Sequence, residues 1–244
     1  VEGKGKGLVA TTAVEAGQVI FSEEALAIVR LRDRGEDRMA EMVAFSNAFR
    51  ALDITQKAAV LALHAGSYTI KDPNSEARDA KSDAELIDFL GFGGVDLPRD
   101  EWVNVCKAIR VFHTCCFFIS RAKEPMEGLF PTLSRINHSC EPNCEAMDWV
   151  AGGTPQVDLI ALRPIKPGEE LTVSYIGASN CKPKADRQAA LADIPLYLTS
   201  CLCALCSRTE DSPPSAHEAL GTLFALRTLQ ERFRGAAGTP AVGP

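Results

Sequence analysis

Three cysteines lie within six residues near the end of the chain, in the segment Cys201-Leu202-Cys203-Ala204-Leu205-Cys206. Thiols at this spacing can all reach one tetrahedral ion, and Zn²⁺ is the ion that such thiolates favour. A structural zinc site needs four ligands, so the fourth must come from elsewhere in the chain. The ion would then join distant segments and constrain how the chain folds. The alternative is a cysteine-rich loop that holds no metal.

The other cysteines and the composition narrow the class of protein. The total of nine cysteines is odd, and no basic and apolar leader opens the chain, which favours a reducing compartment (nucleus or cytoplasm) and zinc over disulfides. Cys106, Cys115 and Cys116 fall in an apolar stretch and are predicted to be buried free thiols. The net charge of -6 argues against a broad nucleic-acid-binding surface. No run of 18 apolar residues is present, so no membrane span is predicted.

Hydrophobic patterning predicts two β-rich parts separated by a helical insertion. Residues 8–31 have the pattern of strand, turn and strand, and residues 156–163 and 170–176 have the pattern of two strands joined by a proline and glycine turn at 164–168. Helical spacing of apolar residues predicts a helix near 39–49, and further helices are predicted near 55–65, 82–90, 185–192 and 216–233. Residues 105–119 form an apolar run and are predicted to be a buried helix. The last ten residues, rich in Gly, Ala and Pro, are predicted to be disordered.

Three further motifs precede the cysteine triplet in a fixed order. They are Gly5-Lys6-Gly7-Leu8, then Asn137-His138-Ser139-Cys140-Glu141-Pro142-Asn143, then Gly168-Glu169-Glu170-Leu171-Thr172-Val173-Ser174-Tyr175. Together with the triplet they resemble a SET domain, the fold of protein lysine methyltransferases that use S-adenosyl-L-methionine (AdoMet). The spelling of the second motif is similar to that of SMYD-type and related fungal SET proteins, although the chain has no MYND zinc-finger pattern. The resemblance covers roughly residues 3–33 and 105–206.

The resemblance implies a mainly β fold of several small, pseudoknot-like sheets, with a helical insertion, a zinc-bound post-SET segment and a C-terminal helix (an α+β protein). Its parts are expected at 1–33 and 105–178 for the two halves of the SET domain. The insertion is expected at 34–104, the post-SET segment at 179–208, and the helix with its disordered tail at 209–244. The implied function is methyl transfer from AdoMet to the side-chain amine of a lysine in a protein or peptide, histone or non-histone.

The resemblance also implies roles for individual residues. The catalytic residues are expected to be Tyr175 and Tyr197, which would line the lysine channel. The fourth zinc ligand is expected to be Cys140, joining Cys201, Cys203 and Cys206; Cys144 is a local competitor and Cys181 a weaker one. The residues expected to contact AdoMet are Lys6, Gly7, Leu8, His113, Asn137, His138 and Tyr175.

Two departures from the family pattern leave alternatives open. His113 stands where many SMYD-like sequences have asparagine, and Thr199 stands where an aromatic residue often packs near the adenine. These departures favour a catalytically weak or inactive SET-fold module that binds a partner peptide. His113 could instead be a packed helix residue outside the cofactor pocket.

Two other enzyme classes are weaker alternatives. Gly5-Lys6-Gly7 with Ala10 matches the glycine pattern of a dinucleotide site, but it lacks the preceding strand and following helix that such a site needs. A Cys–His nucleophile formed by Cys140 and His138 is disfavoured, because residues two apart in an extended segment are poorly placed for a contact near 3 Å.

Overall fold

The computed structural model describes residues 6–30, 38–64, 69–71, 78–80, 91, 94, 97–120, 126–177, 182–192, 194 and 201–208. The chain divides into two compact units. The first consists of Val1–Asn137, Asn143–Val173 and Pro195–Tyr197, and the second of His138–Pro142, Ser174–Ile194 and Leu198–Pro244. The predicted helices at 82–90 and 216–233 and the terminal tail lie outside the described residues, and the predicted domain boundaries remain predictions.

Small antiparallel sheets form the β part of the first unit. The strands there are β1 (Val19–Glu24), β2 (Ala27–Arg30), β3 (Thr69–Lys71), β4 (Arg78–Ala80), β5 (Cys116–Phe118), β6 (Met126–Leu129), β8 (Cys144–Ala151), β9 (Thr154–Ala161) and β10 (Thr172–Val173); the two-residue strand β7 (Asn137–His138) spans the boundary between the units. One sheet has the order β1-β9-β8 and another the order β2-β6-β5. Strand β9 alternates half-buried and buried side chains along its length, which is the period of a strand with one face on the core.

Strand β8 was missed by the sequence prediction, although its turn signal is in the sequence. Ala151 pairs with Thr154, so the hairpin loop consists of Gly152 and Gly153 alone. Both glycines have positive φ, at 59° and 91°, as a two-residue hairpin turn requires. Glycine adopts such angles at little cost because it has no Cβ atom.

Helices α1 (Arg38–Arg50), α2 (Ile54–Leu61) and α3 (Arg99–Cys115) pack into the main hydrophobic core of the first unit. Phe45 of α1 stacks on Phe112 of α3 with ring centroids 4.8 Å apart. Helix α2 begins at a capping box in which Asp53 and Gln56 each accept a hydrogen bond from the other's backbone N–H. The helical character predicted for this part of the chain is therefore present.

The structure differs from that prediction in three details. Helix α3 begins at Arg99, six residues earlier than the apolar run indicated, because the exposed Glu101 and Asn104 interrupt the apolar pattern before Val105. It ends at Cys115, since Cys116 has an extended conformation and pairs with Leu129 of β6. The predicted insertion also contains the antiparallel pair β3 and β4.

The segment after the glycine motif runs beside the segment that contains Gly168 and Glu169. The Leu171 N–H donates to the Leu8 carbonyl at 2.8 Å, and the Ala10 N–H donates to the Glu169 carbonyl at 2.9 Å. A further bridge joins Val14 to Ile165. These antiparallel contacts place the third motif alongside the first within the same unit.

The second unit contains helix α4 (Lys184–Ala192), close to the predicted 185–192. Its small core consists of Cys140, Leu191, Cys203, Leu205 and Cys206. Among the described residues, no helix is long and apolar enough to cross a membrane.

Candidate active site and metal centre

Four cysteines of the second unit converge on one point. Cys140, Cys201, Cys203 and Cys206 have sulfur atoms that all lie within 4.8 Å of one another. The Cys140 sulfur lies 3.5 Å from that of Cys206 and 3.9 Å from that of Cys201. A tetrahedral zinc ion with Zn–S bonds of about 2.3 Å holds its sulfurs about 3.8 Å apart, whereas a disulfide needs about 2.05 Å. The four residues therefore fit a zinc ion and do not form disulfides.

The fourth cysteine in this cluster is the one that the family resemblance implied. Cys140 is fully buried in the core of the second unit, although it is 61 residues from Cys201. The competitor Cys144 lies in β8 of the first unit, where its thiol donates to the Asn143 side-chain oxygen at 3.5 Å. The weaker competitor Cys181 lies outside the described residues.

Helix α4 supplies polar groups to the cluster that sequence reasoning missed. The Gln188 side chain donates from Nε2 to the Cys206 sulfur at 3.4 Å and accepts from the Cys201 N–H at 3.1 Å. The fully buried Arg187 donates from Nη1 to the Lys182 carbonyl at 2.7 Å and lies 3.7 Å from the Cys206 sulfur through Nη2. Sequence offered no signal for either residue, because a helical Arg-Gln pair is usually solvated.

The charge balance explains why a buried arginine belongs here. Zn²⁺ with four thiolates carries a formal charge of about −2, and a guanidinium beside one sulfur offsets part of it. Hydrogen bonds between the cysteine side chains shift their pKa values in opposite directions. The hydrogen bonds of Cys140 with Cys201 and Cys203, together with burial, raise the pKa of Cys140 far above its ordinary value. The hydrogen bonds of Cys203 with Cys140 and Cys201 lower the pKa of Cys203. Four thiolates at this spacing need a cation to hold them.

Replacing Arg187 by methionine should lower zinc affinity about 10- to 100-fold, the range typical of groups that support metal ligands. The buried charge that offsets the thiolates is then lost, while the length and much of the volume of the side chain are kept. Competition against a chelating dye measures the affinity. Lys184→Ala, at an exposed position of the same helix, is the matched control and should leave affinity unchanged; equal affinities for both variants would show that Arg187 does not support the metal.

The His138 imidazole lies between the cysteine cluster and Tyr175. Its Nδ1 accepts a hydrogen bond from the Tyr175 backbone N–H at 3.1 Å, and its Nε2 is 3.3 Å from the Cys140 sulfur. The ring is buried, and its centroid is 5.4 Å from that of the half-buried Tyr175 ring. The expectation that His138 and Cys140 are poorly placed for contact was therefore wrong, because the chain bends at Cys140 and does not stay extended.

Asn137 joins the second motif to the first and third within the first unit. Its Nδ2 donates to the Lys6 carbonyl at 3.3 Å and to the Glu170 carboxylate at 2.7 Å. Lys6 is 131 positions away in sequence, and Glu170 is 33. The structure thus brings together two of the residues predicted to contact AdoMet, Lys6 and Asn137, and adds Glu170.

Buried Asn143 holds the third motif in place. Its Nδ2 donates to the Glu170 carbonyl at 2.8 Å and to the Glu169 carboxylate at 3.2 Å. Its Oδ1 accepts from the Thr172 N–H at 2.8 Å and from the Thr172 hydroxyl at 3.1 Å. The Arg163 side chain lies 2.6 Å from Glu169 and is the main reason that the pKa of that carboxyl falls to about 2. The last asparagine of the Asn-His-Ser-Cys-Glu-Pro-Asn motif is therefore a structural link.

A family comparison covers the segments that meet at Asn137. The SET domain family model matches residues 5–176, more than half of the 244 residues. The chain belongs to the SET domain family. This confirms the family that the sequence motifs predicted. The small antiparallel sheets, the helices and the cysteine cluster confirm the predicted fold class.

Several relatives of this SET protein are named as histone-lysine N-methyltransferases. It is 45% identical over 85 residues to histone-lysine N-methyltransferase ATXR2 of Arabidopsis thaliana, a match covering 35% of this chain and 16% of the relative. It is 37% identical over 84 residues to histone-lysine N-methyltransferase SMYD3 of Homo sapiens, covering 34% and 18%. It is 37% identical over 86 residues to a SET and MYND domain-containing protein of Dictyostelium discoideum, covering 35% and 15%. The matches thus span less than a fifth of these three relatives.

The structure gives fewer contacts for the other residues that were predicted to form the site. Gly7 and Leu8 lie in the segment that pairs with Glu170 and Leu171. His113 lies on α3, with its ring edge-on to Phe45 at 5.1 Å between centroids, and so contributes to the packing of α1 on α3. Tyr197 and Thr199 lie outside the described residues. The roles of His113 and Tyr197 remain predictions.

Proposed function

We propose that this SET protein transfers a methyl group from AdoMet to the side-chain amine of a lysine in a protein or peptide. One observation carries the proposal: the Asn137 amide joins Lys6 to Glu170, so segments that the family resemblance assigns to the cofactor meet within hydrogen-bonding distance. The methyltransferase names of the relatives support the same reaction.

The charges around Asn137 suit a cationic ligand. AdoMet carries a sulfonium and an ammonium group, and the Glu170 carboxylate next to Asn137 provides a negative charge. Because the Asn137 amide nitrogen donates to two protein acceptors, its oxygen is the atom of that amide suited to accept from the ammonium group. Lys6, Gly7 and Leu8 would contribute backbone contacts, since glycine allows the chain to approach a ligand closely.

The chain's own groups must deliver the lysine in reactive form. The cofactor supplies an electrophilic methyl group on a sulfonium. A lysine amine has an ordinary pKa near 10.4, and desolvation together with a nearby positive charge lowers that pKa, so the neutral amine forms without a dedicated base. Tyr175, held through its backbone by His138, would position the amine in line with the methyl group, and Tyr197 would line the same channel.

Incubating the protein with AdoMet labelled in the methyl group and a lysine-rich protein mixture tests the proposal. Label should appear on lysine, and Tyr175→Phe should lower the rate about 100-fold. The matched control is Ser174→Ala at the neighbouring position. In the parent protein the Ser174 hydroxyl donates to the Gly177 carbonyl at 3.4 Å, and the control variant should transfer methyl groups at nearly the parent rate.

Calorimetry separates the alternatives. A methyltransferase should bind AdoMet and its demethylated product but not a nicotinamide dinucleotide. Peptide binding without label transfer would instead indicate the non-catalytic interaction module, and dinucleotide binding would indicate an oxidoreductase. Histone or non-histone substrates in the nucleus or cytoplasm are part of the proposal, and the labelled protein in the mixture identifies the substrate.

A further inference from the structure

The hydrogen bonds of the His138 ring fix its tautomer. A backbone N–H can only donate, so Nδ1, which is 3.1 Å from the Tyr175 nitrogen, must be the unprotonated acceptor. The ring proton of the neutral imidazole then sits on Nε2, which faces the Cys140 sulfur at 3.3 Å. His138 therefore donates to a cysteine of the cluster and accepts from the backbone of Tyr175 at the same time.

We propose that His138 is a positioning residue that transmits metal occupancy of the four-cysteine cluster to Tyr175. The proposal rests on the proposed function, because it concerns the placement of the tyrosine assigned to the lysine channel. A metal-bound thiolate is a stronger hydrogen-bond acceptor than a neutral thiol, so metal binding at Cys140 strengthens the bond from Nε2. The ring is then held at both nitrogens.

The geometry gives this link little freedom. His138 is 7% exposed, and the Tyr175 ring packs against it at 43° between the ring planes. A shift of the imidazole therefore changes both the acceptor of the Tyr175 N–H and the packing surface of its ring. When the cluster loses its metal, the bond to Cys140 weakens and Tyr175 loses the fixed position that in-line methyl transfer needs.

The first test detects the bond between His138 and the cluster in the parent protein. The protein is loaded with ¹¹³Cd²⁺ and labelled with ¹⁵N-histidine; the chain has only four histidines. We expect one ring in the Nε2–H tautomer whose proton shows a scalar coupling to ¹¹³Cd across the N–H···S bond, and whose signal is lost in His138→Ala. A His138 ring protonated on Nδ1, or an Nε2 proton without coupling, would overturn the proposal.

The second test follows the Tyr175 amide in metal-loaded protein labelled with ¹⁵N-tyrosine, which gives only three amide signals. In His138→Gln, the side-chain amide can take the place of Nε2 and donate to the Cys140 sulfur, but no acceptor replaces Nδ1. It should keep metal affinity within about threefold and speed Tyr175 amide exchange about tenfold, the loss of one hydrogen bond. In His138→Asn, the shorter amide can replace the Nδ1 acceptor but does not extend to the Cys140 sulfur. This variant should weaken metal binding about tenfold and protect the Tyr175 amide from exchange better than His138→Gln does.

Equal amide exchange in the parent protein and both variants would overturn the proposal. If a variant fails to fold, the cadmium coupling in the parent protein still decides whether His138 contacts the cluster. Neither readout uses AdoMet or a lysine substrate, so a protein that transfers no methyl group can still support or contradict the role of His138.

Discussion

Replacing Cys140 by serine should lower zinc affinity about 100-fold or more. Structural zinc sites bind with apparent free energies of roughly 12 kcal/mol, so losing one of four thiolates costs about a quarter of that, or about 3 kcal/mol. The parent protein, purified without chelator, should contain about one zinc per chain by elemental analysis. The small core around Cys140 and Leu191 is organised by the cluster, so local unfolding should accompany the loss of metal.

Cys144→Ser is the matched control for this prediction. Cys144 is also a buried thiol, four residues along the chain, but it lies in β8 and donates to Asn143. Its substitution should leave the zinc content and affinity unchanged. A Cys140→Ser protein that keeps full zinc while Cys144→Ser loses it would reassign the fourth ligand, and a folded parent protein without zinc would contradict the metal site altogether.

The sequence predicted the metal cluster well because its ligands are chemically distinctive. Three thiols within six residues have few uses, and the family pattern names the fourth. Arg187 and Gln188 could not be found in this way, since their importance depends on the direction in which α4 presents them to Cys206. Residues that support metal ligands are defined by their distance from the ligands in the folded protein. Arginine and glutamine are common on helix surfaces, so their residue types alone do not indicate this role.

The fold was predictable where local chemistry decides it and unpredictable where pairing decides it. Helix α2 has its own capping box, and Gly152-Gly153 is a hairpin signal that could have been read from sequence. By contrast, Cys116–Phe118 reads as a continuation of an apolar helix, and only the available edge of β6 turns it into a strand. Likewise, nothing local indicates that the imidazole of His138 contacts Cys140 and Tyr175 at once.

Replacing Asn143 by alanine should destabilise the first unit by about 4 kcal/mol. The substitution removes five side-chain hydrogen bonds, and it leaves the Thr172 N–H and the Thr172 hydroxyl proton without their acceptor and the Glu170 carbonyl without the Asn143 amide donor. Buried groups left in this state cost about 1–3 kcal/mol each. Because a domain is typically stable by only 5–15 kcal/mol, the loss should be plain in a denaturant unfolding curve.

Ser22→Ala gives the matched control, because it removes an exposed side-chain hydrogen bond to Asp158 in the same unit and should cost less than about 0.5 kcal/mol. Asn143→Ala should also weaken AdoMet binding, since Asn143 holds the backbone of Glu170, whose carboxylate in turn orients the Asn137 amide. Calorimetry on the folded variant measures that second effect. If both variants unfold at the same denaturant concentration, Asn143 does not hold the motif in place. If stability falls but AdoMet binding is unchanged, Glu170 keeps its position beside Asn137 without the hydrogen bond from Asn143.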